Sequence, residues 1–135
     1  MRLLIGTDSA QAAVLRTANE LHFADPRAPL LVLLGSAAAF SFRPRPSTIL
    51  VPGMPDGVIA AVPSLEEFGI ASRLASELGL PGCYDGTVLE LAEAWLHAIE
   101  PALREQTQIT AAGPDDFVNS AEELGRKLGV PVSAI

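Results

Sequence analysis

The chain has 135 residues, enough for one domain with a buried core, and 49% of them are hydrophobic against 19% charged. This composition is typical of a globular protein and excludes a disordered one. The formal net charge is −7 and no basic cluster is present. We therefore expect neither nucleic acid nor an anionic membrane as a partner.

Cysteine usage restricts the chemistry further. The single cysteine, Cys83, excludes an internal disulfide, and it excludes an iron–sulfur cluster bound by this chain alone, because such clusters need about four thiolates. With only His22 and His97 beside it, we expect no metal site. The start of the chain lacks the features of a signal peptide, and the longest apolar run, residues 30–34, is too short to cross a bilayer. We expect a cytoplasmic protein.

Short apolar runs alternate with amphipathic segments, a pattern typical of a parallel sheet covered by helices. Residues 3–5 predict a buried first strand, which Gly6 interrupts, and a capped amphipathic helix follows over residues 9–22. Residues 30–34 predict a second strand. Because these runs are apolar throughout, we expect helices on both faces of the sheet.

The middle of the chain is less regular. The prolines in residues 42–46 indicate a stiff, extended connector, and residues 48–51 predict a third strand. Residues 56–68 predict one or two short helical turns interrupted by Pro63, and residues 69–73 a fourth strand.

The last third is again clearly patterned. Residues 87–99 and 114–128 predict helices, residues 108–111 a strand between them, and residues 130–135 a final edge strand. We therefore predict a single three-layer α/β/α domain with a mostly parallel, doubly wound sheet of five or six strands.

Ligands of such sheets bind at the carboxyl ends of the strands, near the point where the strand order reverses. We expect three segments to converge there, namely residues 6–10, Ser72 with Arg73, and residues 111–116. The first is a strand–glycine–helix junction, whose amides and helix dipole can hold a pyrophosphate. It has only one of the several glycines of a dinucleotide fingerprint, and Asp8 adds a negative charge, so an ordinary capped turn remains the alternative.

The closing segment QITAAGPDDFVNSAEELGRKLGVPVSAI resembles the strand–CGPxxM–helix unit of ferredoxin-reductase-like nucleotide-binding domains. Gly113 and Pro114 match that motif, whereas Ala112 and Phe117 stand at its usual cysteine and methionine. The opening LLIGTDSAQAA resembles the family's strand–GTGxGxAP–helix unit. There the matching residues are Gly6, Thr7 and Ala12, and the replaced ones are Asp8, Ala10 and Ala13.

Between these ends, RPSTILVPGMPDGVIAAVPSLEEFGIASRLAS and LPGCYDGTVLELAEAWL are most similar to the electron-transfer subunit of dihydroorotate dehydrogenase. The resemblance implies that residues 1–135 form an NAD(P)-binding domain of ferredoxin-reductase type within a flavin-dependent electron-transfer protein. An FAD-binding barrel normally precedes this domain, and a [2Fe-2S] segment follows it in the dihydroorotate branch. The chain is then either an excised domain or a stand-alone relative, and we expect no catalysis without a flavin domain.

The resemblance also assigns roles to residues. Gly6 and Thr7 would meet the pyrophosphate, and Gly113 and Pro114 would border the nicotinamide side of the cleft. Some members of the family read a 2′-phosphate with a Ser-Arg pair, so the cofactor is expected to be NAD or NADP, with NAD favoured by the dihydroorotate branch. The expected cofactor-binding residues are Gly6, Thr7, Asp8, Ser9, Ser72, Arg73, Ala112, Gly113 and Pro114. The expected partners are the nicotinamide nucleotide and a flavin domain or redox partner protein.

Three alternatives stay open. If Arg73 does not bind a phosphate, we expect it to be a solvated cation at the start of a helix. The substitutions at Asp8, Ala10 and Ala112 favour a domain that has lost its nucleotide and serves as a protein-interaction module. A small nucleotide-binding protein of the universal stress type is indicated by the LLIGTDS opening alone, without the later glycine-rich phosphate signature of that family.

Overall fold

Six parallel strands form the central sheet in the computed structural model, which describes residues 1–135. A 3₁₀ turn at Asp8–Ala10 follows the first strand. In chain order the strands and helices are β1 (Arg2–Thr7), α1 (Gln11–Ala24), β2 (Leu30–Ser36), β3 (Arg45–Pro46), β4 (Ala60–Ala61), α2 (Pro63–Glu66), β5 (Ala71–Ser76), β6 (Tyr84–Asp85), α3 (Val88–Ala98), α4 (Pro101–Glu105), β7 (Gln108–Ala112), α5 (Asp115–Leu128) and β8 (Val132–Ala134).

The strand order of the large sheet is β6-β5-β2-β1-β7-β8, and every neighbouring pair is parallel. The chain builds outward from β1 through β2, β5 and β6, and then returns to the other side of β1 with β7 and β8. β3 and β4 form a separate antiparallel ribbon. The predicted doubly wound α/β/α domain with a sheet of up to six strands is confirmed, and the order reverses between β1 and β7.

Alternate residues of the sheet strands point into two apolar layers, as the period of a strand requires. Leu3 and Ile5 of β1 pack in the layer that contains α3 and α5, whereas Leu4 packs in the layer that contains α1. Both faces are therefore covered, which explains why β2 is apolar over nearly its whole length. The indole of Trp95 is fully buried in α3 and donates a hydrogen bond from Nε1 to the carbonyl oxygen of Pro52 at 3.0 Å.

The helix ends are fixed by local chemistry. The hydroxyl of Thr87 accepts a hydrogen bond from the amide of Glu90, and the Glu90 carboxylate accepts one from the amide of Thr87. This capping box starts α3. Gly129 ends α5 in the left-handed conformation, with a φ of 71°. None of the helices is both long enough and apolar enough to cross a membrane.

Several predictions for the middle of the chain are wrong. Residues 48–51 form no strand, and instead β3 lies within the proline connector. Pro63 begins α2 rather than interrupting a helix, since its missing amide donor is harmless in a first turn. The fourth strand runs to Ser76, three residues beyond the predicted end at residue 73. The short elements β6 and α4 were not predicted.

Candidate functional site

The crevice between the carboxyl ends of β1 and β7 is the topological switch point of the sheet, where ligands of doubly wound folds bind. Gly6 of β1 lies directly opposite Ala112 of β7. The turn that follows Thr7 and the turn at Gly113 and Pro114 therefore stand side by side. Two of the three segments expected to converge do so.

Both glycines of the crevice lie in close packing. A Cβ atom on Gly6 would run into Cγ2 of Val14, so this glycine lets α1 pack closely on β1. A Cβ atom on Gly113 would lie 2.7 Å from Cδ2 of Phe117. The aromatic ring of Phe117, at the usual methionine position of the motif, thus lies against the turn.

Asp8 carries the main polar contacts of the first turn. Its backbone has a φ of 45°, in the left-handed region that residues other than glycine rarely adopt. The Asp8 carboxylate accepts hydrogen bonds from the amide of Ala37 at 3.2 Å and from the hydroxyl of Ser36 at 3.4 Å. It also accepts one from the hydroxyl of Thr7 at 3.1 Å. The exposed Ser9 is the next residue of the turn.

Ser72 and Arg73 do not join this site, contrary to expectation. They lie inside β5, opposite Val32 and Leu33, and not at its carboxyl end. The Ser72 hydroxyl is fully buried and accepts a hydrogen bond from the amide of Val62. The expectation that Ser72 and Arg73 lie at the carboxyl end of β5 is wrong, because the strand continues three residues further.

Arg73 is buried rather than solvated, so that alternative is also wrong. Its guanidinium donates hydrogen bonds to the carbonyl oxygens of Ser72 and Ile49, each at 2.6 Å, while Nε has no partner. Burial lowers the pKa of this guanidinium, and the charge of Glu66 opposes that shift. Arg73 therefore secures the loop around Ile49 from within the fold.

The residues that do stand at the carboxyl ends of β2 and β5 were missed. Ser36 and Ser76 are the last residues of these strands, paired with one another, and both are buried. Glu77 follows directly, and its amide donates to the carbonyl oxygen of Ser36 at 3.1 Å. The serine that ends the apolar run LLVLLGS was the available signal for this edge.

The edge is acidic. Residues 7–10, 36–42, 76–87 and 112–117 contain no lysine or arginine, and Arg43 is the first cation beyond them in the loop after β2. Their acidic residues are Asp8, Glu77, Asp85, Asp115 and Asp116. An anionic group over the first turn would meet the Asp8 carboxylate, which already accepts hydrogen bonds from Thr7, Ser36 and Ala37.

Other chemistry-bearing groups lie elsewhere. Burial raises the pKa of the half-buried Cys83 thiol, which makes it a poor nucleophile. No three His, Cys, Asp or Glu side chains come close enough to hold a metal ion. An apolar cavity of about 360 Å³ lies at the opposite, amino edge of the sheet, where Leu30 and Ala71 meet Leu50, Trp95 and other residues. It is separate from the switch point.

No model of a known protein family matches this sequence, and no curated protein matches it significantly. Among solved structures, a protein described as the ferredoxin reductase in carbazole 1,9a-dioxygenase (FAD apo form) is similar, with a TM-score of 0.61 and 17% identity. The alignment covers 98% of this chain and 34% of that one, so the chain spans about a third of the length of its structural relative. At this identity the likeness establishes the fold. The expected resemblance to ferredoxin reductases is thus confirmed for the fold.

Proposed function

We propose that residues 1–135 are a nicotinamide-nucleotide-binding domain of a cytoplasmic, flavin-dependent electron-transfer protein, similar to the electron-transfer subunit of dihydroorotate dehydrogenase. The observation that carries the proposal is the crevice between β1 and β7, where Gly6 and Ala112 bring two loops together at the switch point. The ferredoxin-reductase fold supports it.

Within this proposal the ring of the nucleotide lies beside Ala112, Gly113 and Pro114, and the adenosine half extends across the ends of β2 and β5. A bound nicotinamide nucleotide supplies a hydride, and the acceptor is a flavin carried by another domain or partner. The part played by this chain is to orient the nicotinamide in the crevice. Gly6, Thr7, Asp8 and Ser9 form the turn beneath the phosphates.

The proposed cofactor is NAD rather than NADP. Glu77, at the end of β5, can accept hydrogen bonds from ribose hydroxyls but repels a 2′-phosphate. The cation assigned to such a phosphate, Arg73, is buried on backbone carbonyls. We therefore expect NADH to bind and NADPH to bind more weakly.

A second candidate function is a protein-interaction module that retains the fold without its nucleotide. The observation that favours it is the Asp8 carboxylate, which accepts hydrogen bonds from Ala37 and Ser36 where an anionic ligand needs donors. The acidic edge points the same way.

A nuclear magnetic resonance titration of ¹⁵N-labelled protein with NADH, NADPH and ATP separates these candidates. The proposal predicts shifts with NADH at residues 6–10 and 111–116, weaker ones with NADPH, and no matching pattern with ATP. Titration to millimolar NADH without shifts in either loop would overturn it and leave the interaction module. Shifts with ATP alone would instead favour a nucleotide-binding protein of the universal stress type.

A further inference from the structure

We infer that the Asp8 carboxylate is a built-in occupant of the phosphate position, which lowers the affinity of the site for nucleotides and inorganic anions. This inference rests on the proposed function. It is carried by the place and contacts of one side chain.

The first step concerns the backbone. Asp8 is the one residue other than glycine with a positive φ, 45°, a conformation that is unfavourable for most L-residues. Aspartate tolerates the left-handed region because its short side chain can form local hydrogen bonds. In this turn those bonds come from Thr7, Ser36 and Ala37. The conformation and the carboxylate contacts support each other.

The hydrogen-bond donors beside the Asp8 carboxylate include groups of Ser36 and Ala37. Ser36 ends β2 and the exposed Ala37 begins the loop beyond it, on the side of β1 where the adenosine half of the nucleotide would extend. The hydroxyl of Ser36 and the amide of Ala37 both donate hydrogen bonds into the first turn. Because the Asp8 carboxylate accepts from both, a phosphate must displace it before using them.

The next step concerns charge. A phosphate brought over the turn would come close to a carboxylate, and residues 7–10 and 36–42 contain no lysine or arginine that offsets the repulsion. A glycine at this position would accept the same φ without strain, free the donors and remove the charge. Asp8 therefore combines two effects against an anion, because it occupies the donors and repels the charge.

The test compares three variants with the wild-type chain. Asp8→Gly removes the charge and the acceptor, whereas Asp8→Asn removes the charge and keeps an acceptor oxygen. Asp85→Asn is the control, since it makes the same charge change on an exposed residue of β6 at the same edge. Dissociation constants for NADH and for inorganic pyrophosphate come from ¹⁵N shift titrations, and thermal unfolding verifies that each variant folds.

We expect Asp8→Gly to bind pyrophosphate and NADH at least about tenfold more tightly than the wild type. Asp8→Asn should gain less, Asp85→Asn should stay within about twofold, and the amide resonance of Ala37 should move in Asp8→Gly without any ligand. Equal affinities of Asp8→Gly and wild type for both probes would overturn the inference, and NADH binding by both would then leave the proposed function standing. Tighter pyrophosphate binding without NADH binding would support the inference and contradict the proposed function.

Discussion

Gly6 offers the most direct test of whether packing, rather than a ligand, requires the glycine of the first turn. The change is Gly6→Ala, alone and together with Val14→Ala. The new Cβ would overlap Cγ2 of Val14, while the Cβ of Val14 is 3.5 Å away, an ordinary contact. Truncating Val14 to alanine removes the clashing Cγ2 and keeps the Cβ.

The expected magnitudes follow from this geometry. Gly6→Ala pushes α1 away from β1 and costs about 1–3 kcal/mol of the free energy of unfolding. Val14→Ala deletes two fully buried methyl groups and costs about 2 kcal/mol. In the double variant the new methyl occupies space that Val14 vacates, so the loss should be about 2 kcal/mol and not the sum.

Urea unfolding followed by circular dichroism and by Trp95 fluorescence measures each free energy, with agreement of the two probes as the check for two-state behaviour. The control pair is Gly6→Ala with Val130→Ala, because Val130 is buried in the opposite apolar layer. That pair should add within about 0.5 kcal/mol. If Gly6→Ala and Val14→Ala also add, the close approach of α1 to β1 is not what requires the glycine.

Three further predictions concern the helices. Thr87→Ala should cost about 1 kcal/mol in urea unfolding, and Thr87→Ala with Glu90→Ala less than the sum, because their capping bonds are reciprocal. Hydrogen bonding to Lys127, followed by its charge and by a neighbouring histidine, lowers the pKa of the Glu93 carboxyl. Lys127→Met should therefore raise that pKa toward its ordinary value in a ¹³C titration. The stability from this pair should be present at neutral pH and lost as the pH falls through the lowered, folded pKa. Gly125→Ala should destabilise the protein despite the better helix propensity of alanine. The new Cβ would lie 2.5 Å from the backbone carbonyl oxygen of Val130, just before β8.

A different result would contradict each of these three expectations. Full additivity of the two cap variants would mean that the bonds at Thr87 and Glu90 act independently. Arg126 is next to Lys127 but has no bond to Glu93, so Arg126→Met should leave the pKa of the Glu93 carboxyl unchanged. An equal rise in this pKa would indicate that net charge, and not the bond to Lys127, lowers it. A gain in stability for Gly125→Ala would show that α5 and β8 are further apart than described.

The fold was predictable where one rule dominates a segment. β2 is a continuous apolar run buried between two helical layers, so its sequence alone indicates a strand. Thr87 precedes α3 and Glu90 lies in its first turn, at capping-box spacing, and the buried side chains of α3 repeat with the period of a helix. Because these signals are local, they can be recognised in a single sequence.

The rest depends on partners that a single sequence does not name. β5 contains Ser72 and Arg73, whose side chains form hydrogen bonds with distant backbone groups, the amide of Val62 and the carbonyl oxygen of Ile49. Because these polar residues are buried, the sequence pattern did not indicate that β5 continues to Ser76, and Glu77 beyond it was missed. In the segment of residues 48–51, Leu50 and Val51 line the cavity instead of joining the sheet. Asp8 was predicted as a site residue. Its hydrogen bonds with Ser36 and Ala37 could not be predicted, because they depend on the pairing of β1 with β2.

The central place of β1 also governs when the sheet can form. One neighbour of β1 ends at Ser36, but the other, β7, begins only at Gln108. During synthesis β1 must wait for more than 70 further residues before its second ladder closes, and closures over such long loops are slow. Until then its outer backbone is an apolar edge open to other chains. A nascent chain halted before β7 should therefore associate with itself, and hydrogen exchange during refolding should protect the β1–β7 amides last.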